Sequence, residues 1–447
     1  MIVTRARAVV IGAGIGGLAV AAGLCAAGWD VTACERATSL EPIGAGLALA
    51  PNGLRALDVI GAGDTLRALA VPQELGIRRS DGRWLARSTT GKMISDRFGD
   101  PVILVPRAAV IDALAARVPD GVLSLATEVT LVEPGGTAGA GTMAEAGETA
   151  GTGTMAAARV VTSAGDLDAD LVVAADGIGS GVRQTLFPDH PGLRYAEFTT
   201  WRLLTGPVTG PVPMAESWGH GTVFGVMPLS GGRVYCYAAA PAAPGMRADD
   251  ELAELVRLFG TWHQPIPELL GMARPTDVLR HDVAELAAPL PSFHHGRVAL
   301  LGDAAHPMTP NLGQGACQAL EDAAVISRLA AGTDPDAVGA MLARYTAARL
   351  PRTTDVVRWS HRAATMTTWT WPPAVAVRNT TMRLTSRFAP GAALRSLAPI
   401  YGWQPGSLPR WRELAAGPAG LACEWHRQSS VLERFGIRVV PERGAGL

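Results

Sequence analysis

Lysine is almost missing from this chain: of its 39 basic residues, only Lys92 is not arginine. Forty acidic residues offset them, and a net charge of −1 leaves no global field to recruit nucleic acid or an anionic membrane. Nothing in the sequence points to a local nucleic-acid patch either. The five cysteines, Cys25, Cys34, Cys236, Cys317 and Cys423, are odd in number and scattered, with no C-x-x-C pair. That pattern excludes a disulfide framework and a cysteine zinc site, and predicts a reducing, cytoplasmic setting. No pair of carboxylates and no His/Cys/Asp cluster suggests a metal. Aromatic residues are 5% and charged residues 18%, against 48% hydrophobic, which is a soluble, globular balance. A length of 447 residues predicts two or three domains.

One charge-free run, Ala8 to Trp29, superficially resembles a secretory signal or a membrane span. Six glycines at positions 12, 14, 16, 17, 23 and 28 give it a better reading, and no membrane span is expected. Residues 8–11 (AVVI) predict a buried strand, Ile15 to Ala27 a small-residue helix closed by Gly28, and Asp30 to Cys34 a second strand. Between the first strand and the helix lies Gly12-Ala13-Gly14-Ile15-Gly16-Gly17. Gly12 permits the tight turn, Gly14 lets a pyrophosphate approach the backbone, and Gly17 lets helix and strand pack closely. The helix N-terminus offers amide N–H groups to phosphates. Glu35, eighteen residues after Gly17, can accept both hydroxyls of a ribose. The unit binds a dinucleotide, and alone it does not separate FAD from NAD. A second formal match, Gly139 to Ala144, has no strand before it and no helix after it, and is read as chance.

Further along, Arg107 to Val118 has helical spacing, Val122 to Val132 alternates like sheet, and Pro134 to Ala158 reads as a loop. Leu171 to Ala175 and Arg297 to Leu301 predict two more buried strands, while residues 190–275, rich in Pro, Gly, Trp and Tyr, predict a second, sheet-rich domain. From Pro335 onward the pattern is helical, and residues 405–447 yield no reading.

Two motifs place an aspartate at the carboxyl end of an apolar strand: ADGIGSGVR with Asp176, and GDAAHP with Asp303. Together with GDAAHPMTPNLGQGACQALEDA (302–323), IGAGLALAPNGLRAL (43–57), PRAAVIDAL (106–114) and LARYTAARLPRT (342–353), they make the chain resemble one family from about Val9 to Arg362. That family is the single-component, FAD-dependent aromatic monooxygenases typified by p-hydroxybenzoate hydroxylase. The Trp201-Arg202 pair and the FGVMPL run look most like its salicylate, urate and zeaxanthin-epoxidising branch. The resemblance implies an α/β fold: a Rossmann-like FAD-binding domain of 1–76, 100–187 and 276–335, a sheet-rich substrate domain of 77–99 and 188–275, and a helical region of 336–447. It implies that Asp303 binds the ribityl–pyrophosphate region, and that Pro310, Leu312, Gly313 and Gln314, with Gly315 after them, lie against the isoalloxazine. Arg107 would reach the ribityl chain or phosphates, Asp176 would serve both FAD and the passing NAD(P)H, and Gly46 would line the cofactor site. Arg36 lies over the adenine side or is a solvated surface arginine.

No second strand–GxGxxG–helix unit exists for a dedicated NAD(P)H domain, which agrees with the resemblance: in that family NADH or NADPH visits transiently. The implied activity inserts one oxygen atom from O2 into an aromatic or polyketide-like substrate through a flavin C4a-hydroperoxide, which must be shielded from water. An epoxidase or Baeyer–Villiger-type oxygenase on the same scaffold, or a flavin-binding sensor, stays open. For substrate contact the candidates are Arg202, which could pair with a carboxylate or oxyanion or be a structural sheet arginine, Tyr235 with Tyr237 two residues on, at least one of which reads as core packing, and His220, a base or a loop histidine. The expected assembly is a monomer or homodimer.

Overall fold

The computed structural model describes residues 5–40, 46–70, 76–87, 90–135, 156–389 and 391–406. The apolar strand Arg7–Ile11 is central to a six-stranded sheet whose order is His294–His295, Val298–Leu300, Leu171–Ala174, Arg7–Ile11, Asp30–Cys34, Leu123–Ser124. Every pairing is parallel except that of His294–His295 with Val298–Leu300. Parallel strands put their carboxyl ends on one edge, so the chain leaves Ile11, Cys34, Ala174 and Leu300 at neighbouring points, where α/β sheets bind ligands. The helix Ile15–Ala26 follows the first strand and buries Leu18 through Ala22 completely. Its run of small residues is what lets it lie so deep.

A seven-stranded sheet stands beside this one, in the order Leu279–Leu286, Leu193–Leu204, Val234–Pro241, Val223–Pro228, Ala215–Trp218, Gly76–Arg79, Trp84–Arg87. Alternation gives its two faces different work. Trp201, Leu203, Phe224, Val226, Cys236 and Ala238 form a core under the helices Glu251–Phe259 and Ile266–Gly271. The opposite face carries Arg202, Leu204, Met227, Tyr235 and Tyr237 and meets a two-stranded sheet of Gly46–Leu49 with Ile103–Pro106. A 30-residue helix, Val338–Thr367, runs behind the first sheet, and its buried Tyr345 hydroxyl donates to the carbonyl of Leu300 at 2.9 Å. The helices Pro372–Phe388 and Gly391–Tyr401 follow.

Three expectations change. The strand Leu279–Leu286, expected with the FAD-binding segments, is the edge of the second sheet, because it pairs along Leu193–Leu204. The alternating stretch 122–132 is two strands in two sheets: Leu123–Ser124 joins the parallel sheet and Val129–Glu133 a three-stranded meander, with Ala126 at φ 51° turning the chain between them. The helix from Arg107 stops at Ala115, before Val118. Residues 139–144 and most of 405–447 lie outside the described residues.

Candidate active site

A cleft of about 410 Å³ opens at the carboxyl edge of the parallel sheet, lined by Gly12, Gly14, Glu35, Arg36, Asp176 and Gly177 among others. Gly12 has φ 94°, and a Cβ there would stand 2.6 Å from the carbonyl oxygen of Ala175. A Cβ on Gly17 would stand 1.8 Å from the Gly12 carbonyl oxygen, so the turn closes only with glycine at both positions. Gly14 faces open space. The Glu35 carboxylate accepts from Ala13 N–H at 2.7 Å and from Ala37 N–H at 2.9 Å. It thereby ties the glycine turn to the end of the second strand and keeps further lone pairs for a ligand. Arg36 is exposed at the rim.

Asp176 leaves the next strand end over. One carboxylate oxygen accepts weakly from Val182 N–H at 3.4 Å, and Oδ1 is buried without a hydrogen-bond partner. Arg183, quoted in the motif but given no role by the sequence, joins both aspartate motifs: it donates to the carbonyls of Ile178 (2.6 Å), Ala304 (3.0 Å) and Asp303 (3.3 Å). Asp303, at a neighbouring strand end, is reached by solvent yet closely surrounded by polypeptide. That enclosure raises its pKa, against the pull of His306, Arg107 and Arg183. Burial lowers the pKa of Arg107, with Asp303 opposing and Arg202 adding to the shift, so these three charges share one region. Gly313 is left-handed at φ 60°, and after it the helix Gly315–Ala330 points its N-terminus at this region, with Asp303 Oδ1 3.8 Å from the place a Gly315 Cβ would occupy.

The residues fit a flavin dinucleotide. A cradle that excludes Cβ atoms, an acidic ribose acceptor, an orphaned buried carboxylate oxygen and a helix N-terminus line one cleft edge. Pro310 and Gly313 are exposed to open space and could lie against a ring.

Gln314 turns its side chain the other way. Its side chain is buried, and its Oε1 accepts from Asn52 at 2.9 Å and Gln318 at 3.2 Å. It is part of a buried polar network in which Arg349 donates to Asp322 (2.6 Å), Glu321 and Gln318, while Asp322 accepts from Gly302 N–H (3.0 Å) and pairs with His306 (2.6 Å). Burial would raise the Asp322 pKa, but His306 and Arg349 outweigh it and hold it below the usual range. This network, which the sequence reading missed, seats the Gly302-Asp303 turn on the helices behind it.

Beyond Gly313 lies an apolar cluster. A Gly313 Cβ would touch Ala48 at 3.8 Å, and Ala48 packs with Leu104, Met214, Leu229 and Tyr235. A Cβ on Gly46 would enter the Tyr235 ring at 2.6 Å, so that residue packs directly against the ring. Strand register sets Arg202, Tyr237, Gly225 and Glu216 in one row across four strands, with Leu204, Tyr235 and Met227 in the next. The Tyr237 hydroxyl donates to Glu216 Oε1, and Trp218 Nε1 donates to Oε2 at 2.8 Å. Burial pushes the Tyr235 hydroxyl up to about 12 and Tyr237 well up, the latter with the Glu216 charge adding to it. Both stay protonated at neutral pH. His281, opposite Thr200 and near Arg202, has its pKa lowered by burial and then by Arg202, Arg247 and Arg280. Neither Glu216 nor His281 was singled out by the sequence.

His220 is not on this face. It is exposed on the turn between Trp218 and Val223, at the opposite end of the hairpin from Met227, the partner of Tyr235.

The family model described as FAD binding domain matches residues 5–360. The chain belongs to that family. It is an FAD-dependent monooxygenase of the class A kind. Among its curated relatives, the aurachin C monooxygenase/isomerase of Stigmatella aurantiaca is 34% identical over 86% of this chain and 95% of its own. The 3-amino-4-hydroxybenzoate 2-monooxygenase of Streptomyces cremeus is 33% identical over 80% and 86%. Among solved structures, Klebsiella pneumoniae HpxO complexed with FAD and uric acid has a TM-score of 0.76 at 26% identity, covering 88% of this chain and 97% of that one. The α/β fold is thus that of the p-hydroxybenzoate hydroxylase-type flavoenzymes.

Proposed function

We propose that this flavin monooxygenase adds one oxygen atom from O2 to a planar aromatic ring bearing an anionic or phenolic oxygen, using NADH or NADPH as reductant. On this reading the ring lies between Ala48–Gly313 and the Tyr235–Tyr237 face. FAD, when bound, supplies the hydride acceptor and the oxygen activation. Glu35, Asp176, Arg107 and Asp303 would hold it, with Arg36 at the rim.

The chain's own side chains do the rest. Arg202 makes no ion pair or hydrogen bond among the described residues, so its guanidinium is available to fix a substrate oxyanion or carboxylate. The Tyr235 hydroxyl, protonated at neutral pH, offers a neutral hydrogen bond beside it. Tyr237 holds its proton against Glu216 Oε1, which sets a donor–acceptor pair in the same row as Arg202. Leu104, Met214 and Leu229 exclude water from the reacting face.

The observation that carries this reading is the strand register that puts an unpaired arginine beside a buried and a half-buried tyrosine, on the face that packs with Ala48. It is tested by NADH and NADPH oxidation by FAD-loaded protein, with and without a panel of phenols, aromatic acids and fused-ring compounds. One class is expected to stimulate oxidation and give an oxygenated product. In Arg202→Ala the concentration needed should rise about 10- to 100-fold, the worth of a charge-assisted hydrogen bond, with the flavin spectrum intact. Unchanged kinetics would remove Arg202 from the pocket.

A further inference from the structure

From Val356 to Gly406 the chain holds no aspartate or glutamate, six arginines and four of its eleven tryptophans. The helix Pro372–Phe388 lies within this stretch and presents large apolar side chains to solvent: Val377 is 65% exposed, Leu384 52% and Phe388 73%. With Thr381 they recur at intervals of four, three and four residues, so they form one stripe along the helix. Arg383 and Arg387, one turn apart and both exposed, border it, and the Arg387 guanidinium lies 5.5 Å from the Phe388 ring centre. Trp371, 68% exposed, stands at the helix N-terminus, and Trp369 just before it.

The opposite side of the helix is fixed. Val375 and Arg378 are buried, and Arg378 donates to the carbonyls of Met366 and Gly219, each at 3.1 Å. Among the described residues, the stripe therefore faces away from the rest of the protein.

We propose that this stripe docks on an anionic lipid surface. Apolar side chains of this size left in water imply a partner, and the charge around them selects its kind. Two copies meeting stripe to stripe would bring arginine against arginine, with no carboxylate in this stretch to offset them. An anionic bilayer supplies both complements: negative headgroups for Arg383 and Arg387, and acyl chains for Val377, Leu384 and Phe388, with tryptophans at the boundary. No helix among the described residues is long and apolar enough to cross a membrane, so the contact is interfacial. Arg378 also lies 5.2 Å from the ring centre of Trp218, whose indole donates to Glu216. A short chain of contacts thus links the docking helix to the Glu216–Tyr237 pair.

The test is flotation of the FAD-loaded full chain with vesicles of phosphatidylcholine alone and with vesicles containing phosphatidylglycerol. Binding is expected only to the second, weakening as salt rises. R383Q/R387Q should lower the partition coefficient about thirtyfold, and L384E/F388E should abolish binding. Both variants should keep the flavin spectrum and melting temperature, because all four residues are exposed. The proposal is overturned by absence of binding to phosphatidylglycerol vesicles at low salt, or by equal binding of the variants. It is also overturned if L384E/F388E turns a dimer into a monomer while the parent chain ignores vesicles, since the stripe would then join two copies.

Discussion

Asp303→Asn should move two properties in opposite directions. The substitution keeps the side-chain shape and deletes one negative charge beside Arg107 and Arg183. In the empty protein that charge is unfavourable: enclosure by polypeptide raises the Asp303 pKa even though His306, Arg107 and Arg183 all lower it. A carboxyl whose folded pKa lies above its unfolded value stabilises the fold only at low pH, and that contribution is lost as pH rises through the raised value. At pH 7.5 the asparagine apoprotein should therefore melt slightly higher than the parent, by a small margin because solvent in the cleft screens the charge. The difference should vanish as pH falls below the ordinary carboxylate range. Cofactor binding should respond in the opposite sense. A hydrogen bond from a flavin hydroxyl to an ionised carboxylate is worth about 1.5–3 kcal/mol, so the variant should bind FAD about 10- to 150-fold more weakly. The assays are differential scanning fluorimetry of both apoproteins across pH and FAD titration by fluorescence quenching. If the apoprotein melted lower at pH 7.5, or FAD affinity held, Asp303 would be a structural carboxylate and its place on the cofactor would be lost.

Two other substitutions probe what lies behind and away from the cleft. Arg349 is fully buried and serves Asp322, Glu321 and Gln318 at once, so Arg349→Met should cost about 3–5 kcal/mol in urea unfolding, and a loss under about 1 kcal/mol would show that the network repacks. His220→Ala should leave substrate-stimulated NAD(P)H oxidation and the melting temperature unchanged, since the ring is exposed at the far hairpin turn; a tenfold loss of turnover would restore it to the reacting site.

The parts of the molecule readable in advance are those whose meaning is local. Gly12, Gly14, Gly17 and Glu35 fall within one β-α-β unit, and the demand for glycine is a backbone demand that short spacing reveals. Asp176 and Asp303 were legible for the same reason: each follows an apolar strand directly, and parallel pairing then brings the strand ends together. Gln314 shows where adjacency misleads. It neighbours Gly313 in the chain, but Gln314, Gln318 and Glu321 recur at helical spacing and share the face turned towards Asn52 and Arg349, so the phase of the helix decides its direction. The proposed substrate face was harder still. Alternation along one strand puts Tyr235 and Tyr237 on the same side, and that much was visible. That Arg202, Gly225 and Glu216 complete the row depends on the register of three strand pairings, and sliding any one strand by a single residue would send its contribution to the opposite face. Pairing register is decided by the packing of both faces at once. The proposed substrate face is therefore written in contacts between segments, while the glycine-lined cleft is written within them.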